Sequence, residues 1–185
     1  VIAGLIPSTN PTSTVIYKAL IALKGGNSIV FSPHPHAAKC INETVDIIKK
    51  AAVSAGWPEG AVSVIQRASI EATNELMKHK DTNLILATGG NAMVKAAYSS
   101  GTPAIGVGPG NGPAFIEKTA DVPKAVRQIL DSKTFDNGVI CASEQSIIVE
   151  EEMKEKVVEE FQRQGAYFVP KEDAKKLGAF IILPS

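Results

Sequence analysis

Cysteine is scarce in this chain: 185 residues hold two, Cys40 and Cys141, 101 positions apart. Two thiols make neither a disulfide framework nor a zinc site, and no Cys-x-x-Cys or His-x-x-x-His spacing completes one. No metal is expected. An excess of either charge is also missing, since 19 Lys and Arg face 19 Asp and Glu. That balance argues against nucleic acid or an anionic membrane as a partner, because both reward a basic surface. The longest uncharged stretch, Ala96 to Ile116, contains five Gly and three Pro and would make a poor membrane helix. No basic segment precedes an apolar core and cleavage site, so the cytoplasm is the expected compartment. Gly-x-Gly-x-x-Gly, Gly-Lys-Ser/Thr and Gly-x-Ser-x-Gly are all absent, which excludes the standard nucleotide loops and the serine nucleophile elbow. The chain opens in a strand-like run, Val1–Ile6, without Met, and ends just after the apolar run Phe180-Ile181-Ile182-Leu183. It reads as the middle of a longer polypeptide.

What is present suits a globular α/β protein. Hydrophobic residues make up 44%, with 15 Gly and 11 Pro, and a domain of this size buries roughly 70% of the surface its unfolded chain exposes. Short apolar runs at Val1–Ile6, Ser28–Phe31, Val62–Ile65, Leu84–Ala87 and Ala104–Val107 alternate with helical patterns. The clearest helix is Ala37 to Ala55, where Ile41, Val45, Ile48, Ala52 and Ala55 recur at steps of four and three before Gly56-Trp57-Pro58 stops it. Five strands alternating with four helices predict a Rossmann-like parallel sheet with helices on both faces. After Val107 the texture changes. Gly108 to Pro113 is turn chemistry, followed by a strand (Ala114–Glu117), a helix (Asp121–Leu130), a strand (Ser146–Val149) and a helix (Glu151–Gln164). The expected organisation is a nucleotide-binding domain at 1–107 and the first part of a second α/β, catalytic domain at 108–185. The acidic run Glu150-Glu151-Glu152 reads as a helix start and solvated face, with Met153, Val157 and Phe161 as the buried stripe.

Three groups of residues have chemical potential. Thr88-Gly89-Gly90-Asn91 joins a strand to the helix Ala92–Tyr98, where small residues let a phosphate approach backbone N–H groups and the positive helix end. The competing reading is a tight turn that needs positive φ. Cys141 follows an Asn-Gly turn on a loop between helix and strand, a good way to present a nucleophile. The competing reading is a small core residue, which fits Cys40, beside an apolar stripe, better. His34-Pro35-His36 has half the look of a metal site but no third ligand nearby. An α/β nucleotide layer joined to a cysteine nucleophile points to oxidoreductases with a thiol intermediate.

The residues also resemble the coenzyme A-acylating branch of the aldehyde dehydrogenases, and the aldehyde-oxidising half of bifunctional aldehyde–alcohol dehydrogenases. Four stretches carry the likeness in the family's order: Ile6-Pro7-Ser8-Thr9-Asn10-Pro11-Thr12-Ser13-Thr14, Ser32-Pro33-His34-Pro35, Ala87-Thr88-Gly89-Gly90, and Lys133 through Gln145 around Cys141. The resemblance implies a partial aldehyde dehydrogenase fold and Cys141 as the nucleophile that attacks an aldehyde to give a thiohemiacetal. It implies Asn10 as the oxyanion amide, working with the Cys141 backbone N–H. NAD would be the cofactor and coenzyme A the acyl acceptor, with acyl-coenzyme A and NADH as products. Ile6, Pro7, Ser8 and Thr9 would line the nicotinamide end of the cleft, Ser32 and His34 the adenosine end, and Thr88, Gly89, Gly90 and Met93 the pyrophosphate, with Gly108 completing the set. Hydrolytic relatives carry a Glu-Leu-Gly-Gly stretch whose Glu activates water, whereas Ile105-Gly106-Val107-Gly108-Pro109-Gly110-Asn111 has no carboxylate. Losing a general base costs about 10²–10⁴-fold, while a thiol supplies its own nucleophile near neutral pH. Ser32, where hydrolytic members usually carry Lys, departs in the same direction. The resemblance further implies a homodimer or larger homo-oligomer, and leaves open a fused alcohol dehydrogenase domain or a bacterial microcompartment. A hydrolytic enzyme and a silent nucleotide-binding scaffold remain the alternatives.

Overall fold

Val, Ile and Phe runs without polar alternation form strands buried on both faces. In a computed structural model, which describes residues 1–181, the apolar runs form β1 (Ile2–Ile6), β2 (Ile29–Pro33), β3 (Val62–Val64), β4 (Leu84–Thr88) and β5 (Ala104–Val107), with β1 buried along its whole length and Ile105 and Val107 of β5 exposed. The order is β3-β2-β1-β4-β5 and every pairing is parallel. The helices between them are α1 (Pro11–Lys24), α2 (Ala38–Ser54), α3 (Ile70–Lys78) and α4 (Asn91–Tyr98). Alternate residues of β1 face opposite layers. Ile2 and Ile6 join Val15, Ala19, Phe31, Ile41 and Val45 on the α1–α2 side, while Ala3 and Leu5 join Met77, Ile85 and Ala97 on the α3–α4 side. This is the expected Rossmann-like sheet.

Chain contacts divide the molecule into Val1–Pro109 and a second unit from Gly110 onward. The second unit pairs β6 (Gly112–Ile116) with β7 (Glu144–Val149) in parallel. Its helices are α5 (Val122–Thr134), α6 (Lys154–Arg163) and α7 (Lys171–Ile181). Its core is Ile116, Val122, Val126, Met153, Val157 and Phe161, so the expected stripe of α6 is buried. Pro113 and Gly112, expected in a turn, instead begin β6, because parallel pairing with Glu144 and Ser146 satisfies the backbone there. Of the last apolar run, Phe180 and Ile181 end α7, while Ile182 and Leu183 lie outside the described residues. Among the described residues no helix is long and apolar enough to cross a membrane, and no cluster of His, Cys, Asp or Glu could hold a metal.

Candidate active site

In an open parallel sheet a ligand binds beyond the carboxyl ends of the strands, where neighbouring strands send their chains to opposite faces. That point here lies between β1 and β4. β1 runs on into α1 on one face, and β4 into α4 on the other. Ile6-Pro7-Ser8-Thr9-Asn10 leaves the first strand and Thr88-Gly89-Gly90 the second, so two of the sequence-predicted stretches meet at the switch point. Ser32 lies near the end of β2 and His34 just after it at the same edge, and Gly108 follows β5.

The individual side chains divide into those presented and those committed elsewhere. Ile6 and Pro7 are buried, whereas Ser8 and Thr9 are exposed. Asn10 occupies the N-cap position of α1 but makes no capping bond. Its carbonyl accepts from the Thr14 hydroxyl at 2.7 Å, its Oδ1 accepts from Thr9 Oγ1 at 3.4 Å, and its amide NH₂ has no protein partner among the described residues. Gly90 adopts φ −67° and ψ 166°, and Gly89 is not in the positive-φ region either, so the turn does not require glycine's left-handed conformation. Space is the reason instead: a Cβ at Gly90 meets nothing within 4 Å. The first turn of α4 has no side-chain cap, which leaves its N–H groups free for an anion. Met93 packs on the α3–α4 core. Thr88 Oγ1 lies 3.4 Å from the Tyr17 hydroxyl.

Ser32, near the end of β2, is turned into the protein. It is buried, and its hydroxyl is 2.7 Å from Thr73 Oγ1 on α3. It therefore shapes the edge of the sheet and offers no free donor. His34 Nδ1 accepts from the His36 backbone N–H at 3.2 Å, which leaves Nε2 as its outward donor. Beside it, residues 35–40 and Glu43 line an open cavity of about 580 Å³. Cys40 lies on this rim and is exposed, not in the core as its place beside the stripe suggested. One residue before Ile41, it points about a quarter-turn off the buried face.

Cys141 is also exposed, which removes the core-residue reading. α5 ends at Thr134, and Asp136, Asn137 and Gly138 then take φ of 50°, 52° and 70°. Three successive left-handed residues reverse the chain, and Asp and Asn are the side chains that tolerate this best. The Cys141 backbone N–H has no hydrogen-bond partner among the described residues. Its carbonyl oxygen packs against Gly110, where an added Cβ would stand 2.5 Å away. Two residues on, Ser143 is 1% exposed and its hydroxyl donates to the Ile140 carbonyl at 3.1 Å. The nearest acid after the 105–111 stretch is Glu117. Thr119 donates from both its backbone N–H and its hydroxyl to that carboxylate and holds it below the usual carboxylate range, so it is committed and a poor base.

The sequence matches the aldehyde dehydrogenase family across residues 1–181. The chain belongs to that family. The bifunctional aldehyde-alcohol dehydrogenase of Escherichia coli (strain K12) is 52% identical over 182 residues, which is 98% of this chain and 20% of that protein. An acetylating aldehyde dehydrogenase structure from Geobacillus thermoglucosidasius is 59% identical with a TM-score of 0.87, covering 98% of this chain and 40% of that one. A propionaldehyde dehydrogenase from Rhodopseudomonas palustris, solved with bound CoA and an acylated cysteine, is 34% identical with a TM-score of 0.85, covering 100% and 42%. The likeness to the acylating branch is borne out by these names. The chain spans about a fifth of the curated relative's length and about two fifths of the solved chains.

Sequence reasoning overlooked one residue of this aldehyde dehydrogenase sheet. Lys18 on α1 is 1% exposed, the largest fully buried side chain described. Its Nζ donates to the Leu5 carbonyl at 2.7 Å and the Leu86 carbonyl at 2.8 Å, tying β1 to β4 beside the switch point. Burial pushes its pKa down to about 7. The signal was an interruption in an otherwise apolar helix face: Lys18 falls between Val15 and Ala19, both fully buried.

Proposed function

We propose that this chain supplies the cofactor cleft and the nucleophile of a coenzyme A-acylating aldehyde dehydrogenase, which converts a short-chain aldehyde to its acyl-coenzyme A. One observation carries the reading: an exposed Cys141 with a free backbone N–H, in a chain whose 105–111 segment has no carboxylate to activate water. The uncapped α4 terminus, the open space at Gly90 and the meeting of the β1 and β4 loops fit a dinucleotide, and NAD would supply the hydride acceptor there. The cavity beside His34 would take the adenosine end.

The Cys141 thiolate would add to the aldehyde carbon, forming a C–S bond and placing negative charge on the former carbonyl oxygen. The Cys141 N–H, without a protein partner among the described residues, is a donor suited to that charge, the family resemblance makes the Asn10 amide a second, and one such donor is worth about 3–4 kcal/mol of barrier. Loss of hydride leaves a thioester on Cys141. With Glu117 held by Thr119, the chain offers no base at 105–111 for water, so the thiol of coenzyme A displaces the Cys141 thiolate from the acyl carbon. The cytoplasm and a homo-oligomer accord with this reading.

The test uses the full-length parent enzyme, with NADH formation from acetaldehyde and NAD⁺ followed with and without coenzyme A. Sustained turnover only with coenzyme A supports acyl transfer, and equal turnover without it, with free acid as product, overturns it. Cys141→Ala should abolish sustained turnover; a variant that retained it would remove Cys141 from the chemistry.

A further inference from the structure

Between Gly138 and Ser143 the Cys141 loop has no regular secondary structure. Two backbone bonds shape it, Val139 N–H to Asp136 O at 3.0 Å and Ser143 N–H to Ile140 O at 3.2 Å. A side chain from outside the loop also reaches it. Lys133, in the last turn of α5, passes beneath the Gly138 turn, where a Cβ would lie 3.4 Å from its Cε and 3.1 Å from its carbonyl oxygen. Its Nζ then donates to Ser143 Oγ at 3.3 Å. The same hydroxyl donates to Ile140 O, so a single buried oxygen links α5 to the residues on both sides of Cys141. Gly110 abuts the Cys141 carbonyl, which limits movement in that direction.

We infer that Lys133 is a positioning residue for Cys141, acting through Ser143 to hold the nucleophile loop closed. The inference rests on the reading of Cys141 as the nucleophile. The bond from the Lys133 ammonium to a buried hydroxyl is a charge-assisted tie from α5 to the loop. Without it, Ser143 keeps its bond to Ile140 and the fold survives, but the loop is free to swing Cys141 and its N–H away from a common oxyanion. Lys133 lies at a helix C-terminus, where a cation also stabilises the helix dipole. A purely structural role of that kind would appear in melting temperature and not in catalysis.

The experiment compares Lys133→Met, Lys133→Arg, Ser143→Ala and the Lys133→Met/Ser143→Ala double variant in the full-length parent enzyme. Lys133→Met should lower kcat at least tenfold with KM for NAD⁺ within about twofold, and Lys133→Arg should recover most of the loss. The double variant should be no slower than the slower single variant, because both substitutions remove the same bond. A Lys133→Met enzyme with wild-type kcat, or single effects that multiply in the double variant, would overturn the inference. Cys141→Ala serves as the control: turnover that survives it sinks the nucleophile reading itself, independently of what Lys133 does.

Discussion

A Cβ on Gly110 would stand 2.5 Å from the Cys141 carbonyl oxygen, a backbone atom that can yield only by moving the nucleophile. Gly112, two residues on, has its nearest backbone oxygen at 3.9 Å, an ordinary contact. Neither residue is at positive φ, so the difference is one of space alone. Gly110→Ala is expected to lower kcat at least tenfold in the parent enzyme, and Gly112→Ala to stay within about twofold. Asn10 allows a second contrast at this scale. An N-cap Asn normally loses about 1 kcal/mol of helix stability on replacement by Ala, but this one makes no capping bond. Asn10→Ala should therefore leave the melting temperature within about 2 °C while reducing kcat by about 10²–10³-fold, as loss of an oxyanion donor does. A fall of several degrees without a catalytic effect would make Asn10 a helix cap and nothing more.

At the scale of elements, the period of hydrophobic residues carried most of the fold. The stripe of Ile41, Val45 and Ala52 is buried on α2, and five unalternated apolar runs became the five parallel strands. What periodicity could not show was any property set by a partner distant in sequence. Ala55 continues the spacing of α2 yet lies exposed as its C-cap, because the helix ends before a neighbour can cover it. Gly112 and Pro113 have turn chemistry, but β7, more than thirty residues later, pairs with them. The burial of Ser32 was not legible, since only α3 folding over it places Thr73 on its hydroxyl. Gly4 is the same lesson inside β1: nothing local demands glycine, but a Cβ there would lie 2.7 Å from the Phe31 ring on β2. Gly4→Ala overpacks the centre of the sheet and is expected to cost about 1–3 kcal/mol. Denaturant unfolding of the chain measures it, and an unchanged midpoint would mean that the Phe31 ring turns aside freely.

For the molecule as a whole, Lys18 couples the stability of the larger sheet to pH. In the unfolded chain its amine keeps the ordinary value of 10.5, while burial brings it to about 7 in the fold. Between those limits the unfolded state holds the extra proton, so stability rises with pH across the window, by at most about 1.4 kcal/mol per unit. Below about 7 the ammonium is buried with only two carbonyls as partners, and the desolvation penalty is fully present. Its absence from every ion pair among the described residues leaves no carboxylate to cancel the effect. Trp57, the single tryptophan, packs against the α1–α2 core and reports unfolding of the unit that holds Lys18. Denaturant titrations between about pH 6.5 and 9.5 should show the unfolding free energy climbing in the wild-type chain. Lys18→Met, which keeps the length of the side chain and removes the titrating group, should lose that slope. Equal slopes in the two chains would mean that Lys18 stays protonated across the window, its two carbonyl bonds outweighing the cost of burial.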